Sequence, residues 1–225
     1  MNKPEFIVFD LDGTLVDSVP DLANAVDLAM QDIGYPSVTV EQTATWIGNG
    51  ADLLIARALS QSVTPNPDID PELQNRARDL FNGHYGASDH SATTVYSGVI
   101  ETLTTLKAQG IKIALLTNKP SQFVAAVLEE QGLADFFCHV VGGDDFPEKK
   151  PSPMALNWLM DEFNFKPEQT VMVGDSKNDI LAAQNAKCRS IGVTYGYNYG
   201  VPIAESQPTF VCEQFNQLLD VLNLG

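Results

Sequence analysis

Two carboxylates close the first apolar run of the chain: Asp10 and Asp12, in "FIVFDLDGTLVDS". Residues two apart on a strand point to the same side. The pair would therefore aim at one point, where like charges repel and one pKa rises unless a cation intervenes. Such a pair is either an acidic turn, for which Asp and Gly are ordinary residues, or a site that uses both groups. Three further segments at the ends of apolar runs carry comparable chemistry: "TNKP" at 117–120, the loop "EKKPSP" at 148–153, and "GDSKND" at 174–179. Together they hold Asp10, Asp12, Asp175 and Asp179, two lysines directly ahead of prolines, a threonine and an asparagine. An α/β domain without a ligand has no need of such groups at every strand end.

The elements that must position these groups follow from the apolar pattern. Residues 5–10 read as a buried strand. Asp17 or Ser18 can cap a helix running to about Gly34, with Pro20 in its first turn. Residues 35–95 show helical periodicity and no strand, broken at the glycines of "EQTATWIGNG" and at the loop "TPNPDIDPE". Trp46, Leu53, Leu54 and Leu59 fall at core spacing. After Tyr96, helical and strand patterns alternate, with strands in "IKIALLT", "FFCHVVGG", "TVMVG", "RSIGVTYG" and "TFVC" and a last helix at 213–222. This alternation predicts an α/β fold: a Rossmann-like, doubly wound, mostly parallel sheet with helices on both faces. The first strand ends near residue 10 and the next begins near 111, whereas a βαβ crossover takes roughly 30 residues. The surplus predicts a small helical domain, residues 17–95, inserted into a core of residues 1–16 and 96–225 and able to hinge on two linkers.

In an open α/β sheet, ligands bind outside the carboxyl ends of the strands, where the four segments lie. Composition narrows the ligand. A formal charge of −16 argues against nucleic acid and anionic membranes as main partners. No apolar run is long enough to span a membrane. Cys138, Cys188 and Cys212 are odd in number and lack metal-ligand spacing, so they read as reduced thiols of a cytoplasmic protein. His84, His90 and His139 read as structural or solvated, and Lys119 and Lys177 as solvated surface lysines that at most add local field.

The four segments, in this order, resemble the four motifs of the haloacid dehalogenase (HAD) superfamily of phosphotransferases, and the helical insert lies where that family places a cap. Within it, "TWIGNGADLLIARAL", "LLTNKP" and "FPEKKPSP" look like the bacterial phosphoglycolate phosphatases. The resemblance implies a Mg²⁺-dependent phosphomonoesterase that forms an aspartyl-phosphate and acts on a small phosphorylated metabolite, foremost 2-phosphoglycolate. It implies a monomer or homodimer in the cytoplasm, with no nucleic-acid or membrane partner. Rival expectations are a phosphatase or pyrophosphatase for another small metabolite, a sugar phosphomutase, and a non-catalytic module that binds a phosphorylated ligand.

Chemistry gives the motif residues their roles. A carboxylate nucleophile splits a difficult hydrolysis into two easier steps; Asp10 takes that role. Asp12 would protonate the leaving oxygen and then deprotonate water. Mg²⁺ would be held by Asp10 and Asp175, and the resemblance adds the Asp12 backbone carbonyl. Asp179 would orient the metal's waters or Lys150. The Thr117 hydroxyl and the Asn118 backbone N–H would donate to phosphoryl oxygens, and Lys150 would supply positive charge. Lys150 is preferred to Lys149 because it directly precedes the proline, as in the family motif. Recognition of the rest of the substrate falls to the insert. There Gly48 and Gly50 would admit a close backbone approach, Asn49 would donate, and Arg57 would pair with a carboxylate. Against this stands a loop that merely joins two helices.

Overall fold

The structure is a computed structural model that describes residues 3–224. Its elements in chain order are β1 (Phe6–Phe9), β2 (Val16–Asp17), α1 (Val19–Asp32), α2 (Val40–Ala44), α3 (Ala51–Ser60), α4 (Pro71–Gly86), β3 (Thr94–Val95) and α5 (Val99–Ala108). There follow β4 (Lys112–Leu116), α6 (Ser121–Glu130), β5 (His139–Val141), α7 (Met154–Glu162), β6 (Thr170–Gly174), α8 (Lys177–Asn185), β7 (Arg189–Val193), β8 (Phe210–Cys212) and α9 (Gln217–Val221).

Six strands form one sheet in the order β5-β4-β1-β6-β7-β8, and every pairing is parallel. The chain winds outward from β1 through β4 to β5, then returns to the other side of β1 to build β6, β7 and β8. The winding direction reverses beside β1, which makes its carboxyl end the crevice of the sheet. Strand periodicity sorts the two buried faces. Ile7, Phe9, Ile113, Leu115, Val171 and Val173 pack with α5, α6 and α9. Phe6, Val8, Ala114, Leu116 and Met172 pack on the other face with α7 and α8.

Helices α1 to α4 build a hydrophobic cluster of their own. Leu22, Val26 and Met30 of α1 meet Leu54 and Ile55 of α3 and Phe81 and Tyr85 of α4. Local signals set the helix starts. Thr39 and Gln42 form a reciprocal capping box on α2, and Asp70 caps α4 ahead of Pro71. Phe123 of α6 is the large side chain from the sheet's own helices that joins this cluster.

Two sequence expectations need amendment. Residues 35–95 were expected to hold no strand, yet β3 pairs antiparallel with β2, Val16 opposite Val95 and Asp17 opposite Thr94. Two-residue strands are too short to show an alternating pattern. The last helix, expected over 213–222, starts at Gln217, because the Gln217 side chain accepts the N–H groups of Glu213 and Gln214 and holds them in a turn. Among the described residues no helix is long and apolar enough to cross a membrane.

Candidate active site

Asp10 follows β1 directly. Its N–H donates to Val173 O at 2.9 Å, so β-pairing carries the chain to the rim and leaves the carboxylate at the crevice. The chain then turns at Gly13, whose φ is +86°. A Cβ there would strike the Asp175 carboxylate and the Tyr197 ring, so the turn accepts only glycine. Asp175, at the end of β6, accepts from Thr14 Oγ1 (3.0 Å) and from the Tyr197 N–H (2.7 Å). Asp179 sits in the first turn of α8. There Oδ2 accepts from the Ser176 N–H (3.0 Å) and Oγ (2.7 Å), a capping arrangement that fixes the carboxylate.

Lys150 reaches into this group from the loop before α7. Its ammonium lies 2.8 Å from Asp10 Oδ1 and 2.7 Å from Asp179 Oδ1, and donates to Leu116 O at 2.6 Å. Burial works against the lysine's charge, but Asp10 and Asp179 outweigh it and raise its pKa above the ordinary value. Lys149, the rival, is a third exposed and faces Asp52 at 3.8 Å.

One carboxylate oxygen from each of Asp10, Asp175 and Asp179 lies within 4.8 Å of the others, and all three residues are buried. Burial, followed by the neighbouring Asp179 charge, pushes Asp10 up to about 7 against the pull of Lys150. Burial, then Asp179 and Asp10, raise Asp175 well above the usual carboxylate range. Three buried carboxylates against one ammonium leave negative charge uncompensated in a low-dielectric pocket. A hard divalent cation with oxygen ligands fits this donor set.

The Asp12 carboxylate stands outside that group. Oδ1 accepts from Ser18 Oγ (2.5 Å), and Lys119 Nζ lies 3.0 and 3.2 Å from its two oxygens. The expectation of a solvated Lys119 is wrong: the side chain is buried, paired with Asp12 and set 4.7 Å from the centroid of the Tyr85 ring. Nothing in "TNKP" announces that a helix of the insert will cover it. Lys177 is exposed, as expected.

Thr117 and Asn118 end β4 at the same rim. Thr117 Oγ1 accepts from the Lys119 N–H (3.1 Å), which leaves its own proton to donate elsewhere. The Asn118 side chain has a task the sequence did not suggest. It clasps the Lys150 backbone, donating to its carbonyl and accepting from its N–H, both at 3.0 Å, and also donates to Gly48 O at 3.0 Å. Asn178 donates to the same Gly48 carbonyl at 3.0 Å and to the Tyr199 hydroxyl at 3.0 Å. Asn178 was visible only as a letter inside "GDSKND", and Tyr197 and Tyr199 carried no chemical signal at all.

A cavity of about 40 Å³ lies between the strand ends and the helical segment, with Asp10, Asp12, Thr117, Asn118 and Lys119 on the sheet side. Gly48 and Gly50 line it too, with φ of +110° and +85°. Asn49 does not line it. Arg57 is a correction. It is not solvated but buried, and it does not line the cavity: Nη1 donates to Trp46 O (2.5 Å) and Nε to Val63 O (2.9 Å), and the guanidinium packs over the Tyr199 ring. Its charge ties α3 to the segments around Trp46 and Val63. The histidines have structural or surface partners: His84 pairs with Asp32, while His90 and His139 pack on Tyr85 and Trp158.

A parallel sheet whose switch point carries buried acid groups and a lysine is built to hold a small ligand at its rim, and comparison with known proteins gives it a family. Residues 7–193 match the model of the haloacid dehalogenase-like hydrolases. A phosphoglycolate phosphatase of Vibrio vulnificus is 56% identical over 97% of this chain and 96% of its own. One from Vibrio cholerae is 55% identical over 99% and 98%. A crystal structure described as a predicted phosphoglycolate phosphatase from Haemophilus somnus superposes with a TM-score of 0.91 at 38% identity, covering 98% of this chain and 99% of that one. The chain belongs to the haloacid dehalogenase-like hydrolase family. Within it, it stands with the phosphoric monoester hydrolases that these full-length relatives represent.

Proposed function

We propose that the enzyme hydrolyses 2-phosphoglycolate to glycolate and phosphate through an aspartyl-phosphate on Asp10, with Mg²⁺ as cofactor, in the cytoplasm. The observation that carries this reading is the set of three buried carboxylates facing one lysine at the switch point. The names of relatives more than half identical over nearly the whole chain support the substrate.

The Asp10 carboxylate attacks phosphorus, and the bond from phosphorus to the glycolate oxygen breaks. Asp12 gives that oxygen a proton. Asp12 then takes a proton from water, whose oxygen attacks the phosphorus of the aspartyl-phosphate, releasing phosphate and restoring Asp10. Lys150, the Thr117 hydroxyl and the Asn118 N–H stabilise charge on the phosphoryl oxygens. Held by Asp10, Asp175 and the Asp12 carbonyl that the family resemblance adds, Mg²⁺ would offset the repulsion between a dianionic phosphate and the attacking carboxylate. The oxygens of Asp179 are engaged by Lys150 and Ser176, which suits it to orienting rather than binding the metal.

Residues 17–95 act as the cap in this reading. The β2–β3 ribbon is its tether to the core, and the Gly48 carbonyl is its docking point on Asn118 and Asn178. The test is phosphate release from a panel of phosphorylated metabolites, with Mg²⁺ and with excess chelator. The expected result is the highest kcat/KM for phosphoglycolate and near-complete loss with chelator. A different preferred ester, or activity indifferent to chelator, would contradict the reading.

A further inference from the structure

Lys119 pairs with Asp12, yet the chemistry above leaves its charge half used. An ammonium carries three N–H donors. Asp12 takes it through two oxygens at 3.0 and 3.2 Å, and the Tyr85 ring face is a weak acceptor for what remains. Beside it, Tyr85 of α4 is fully buried; its oxygen feels the Lys119 ammonium, while its own O–H proton has no acceptor among the described residues. Buried polar groups are nearly always paired, and an orphan in a native site points to a group yet to arrive. Both side chains line the cavity that holds Asp10 and Asp12. The helical segment's other side chains in that wall, among them Leu22, Ile47, Leu54 and Phe81, are apolar. Arg57, the cation that the insert's sequence offered, is spent on Trp46 and Val63.

We propose that the Lys119 ammonium and the Tyr85 hydroxyl together bind the carboxylate of the substrate. They would select small phosphate esters whose carboxylate sits one carbon from the bridging oxygen. Connectivity supports this placement. Asp12 must touch the bridging oxygen to give it a proton, and Lys119 is one hydrogen bond beyond Asp12. In phosphoglycolate the carboxylate carbon is two bonds from that oxygen, close enough for a carboxylate on the Lys119 side to meet the ammonium while the bridging oxygen meets Asp12. One donor comes from the core and one from the helical segment, so the carboxylate would bridge the two. A neutral leaving group would leave the Tyr85 proton without an acceptor and the ammonium with Asp12 as its sole carboxylate among the described residues, and sites built on buried polar groups discriminate strongly against such analogues.

This inference rests on the phosphoglycolate reading, and one experiment separates the two. Steady-state kcat/KM is measured for 2-phosphoglycolate and for ethyl phosphate, in which a methyl group replaces the carboxylate. The wild type, Tyr85→Phe, Lys119→Met and Lys119→Arg are compared, with thermal unfolding as a check on each. Tyr85→Phe should lower kcat/KM for phosphoglycolate roughly tenfold and for ethyl phosphate less than about twofold. Lys119→Met should harm both substrates through Asp12, but phosphoglycolate by a further ~100-fold, and Lys119→Arg should recover part of the difference. A wild type without preference for phosphoglycolate would overturn the substrate reading and the subsite with it. A wild type with that preference, but with equal losses on both substrates in Tyr85→Phe and Lys119→Met, would overturn the subsite alone.

Discussion

The strand ends and the helical segment meet across one cavity and furnish it in opposite ways. On the sheet side, charged groups are fixed by several partners each: Asp175 by Thr14 and Tyr197, Asp179 by Ser176 and Lys150, Asp12 by Ser18 and Lys119. On the helical side the wall is mostly aliphatic and aromatic, with backbone at Gly48 and Gly50 and one hydroxyl whose proton has no acceptor among the described residues. Bond making needs charges held in place before the substrate arrives. Choosing among substrates needs shape and a few polar contacts that only the right ligand satisfies. The two sides divide these tasks, so variants on each should fail in different ways.

The largest effect belongs to the sheet side. Asp10→Asn removes the attacking charge and should abolish turnover of every ester, a loss on the order of 10⁴-fold or more. Steady-state assays on phosphoglycolate and p-nitrophenyl phosphate check it, and substantial residual activity on either would move the nucleophile elsewhere. Asp12→Asn should come next, costing about 10²–10⁴-fold on phosphoglycolate. Its effect depends on the leaving group: p-nitrophenolate departs without a proton, so single-turnover phosphorylation by that ester should suffer much less. Equal losses would argue against a proton donor at Asp12.

Asp179→Asn sharpens the distinction between holding the metal and holding the substrate. It loosens Lys150 and the start of α8, and should raise the Mg²⁺ concentration for half-maximal rate by about 10–100-fold with less change in discrimination between esters. A Mg²⁺ titration at saturating substrate measures this, and an unchanged requirement would separate Asp179 from the metal. The smallest effect is on the helical side. A Cβ at Gly50 would press on Lys149 Nζ at 3.0 Å and on Asn118 O at 3.2 Å, at a φ that side chains disfavour. Gly50→Leu should lower kcat/KM for phosphoglycolate several-fold more than for p-nitrophenyl phosphate, a loss of discrimination of about 1 kcal/mol. Its Mg²⁺ requirement should hold. A parallel loss on both substrates would dissolve the division between the two sides.

The same division separates what was legible in the sequence from what was not. The parallel sheet and the placement of Asp10, Thr117, Asn118 and Asp175 at its rim could be read from strand periodicity, whereas Asp179 followed from its place one helical turn beyond Asp175 and Lys150 from the resemblance to the family motif. A strand that ends at a known residue delivers that residue to the crevice whatever its neighbours do. Lys119, Tyr85 and Arg57 could not be read in this way. Whether a long cationic side chain is solvated, buried on a carboxylate or folded back on carbonyls depends on contacts between segments far apart in the chain. Asp12 meets Lys119 and Lys119 meets Tyr85 only once α4 lies over the end of β4. The β2–β3 ribbon escaped because two residues are too few to carry a period.

The central claim is that Asp10 carries the phosphoryl group between the two steps. It is tested most directly by acid-quenching Asp12→Asn with p-nitrophenyl phosphate, whose leaving group needs no proton from Asp12, and Mg²⁺, and mapping the modified peptide by mass spectrometry. Loss of the base that activates water should let the phosphoenzyme accumulate, with the phosphoryl group on Asp10 and absent when Asp10→Asn is added. A phosphoryl group on another residue, or substrate consumed in the quench with none on the protein, would contradict the account.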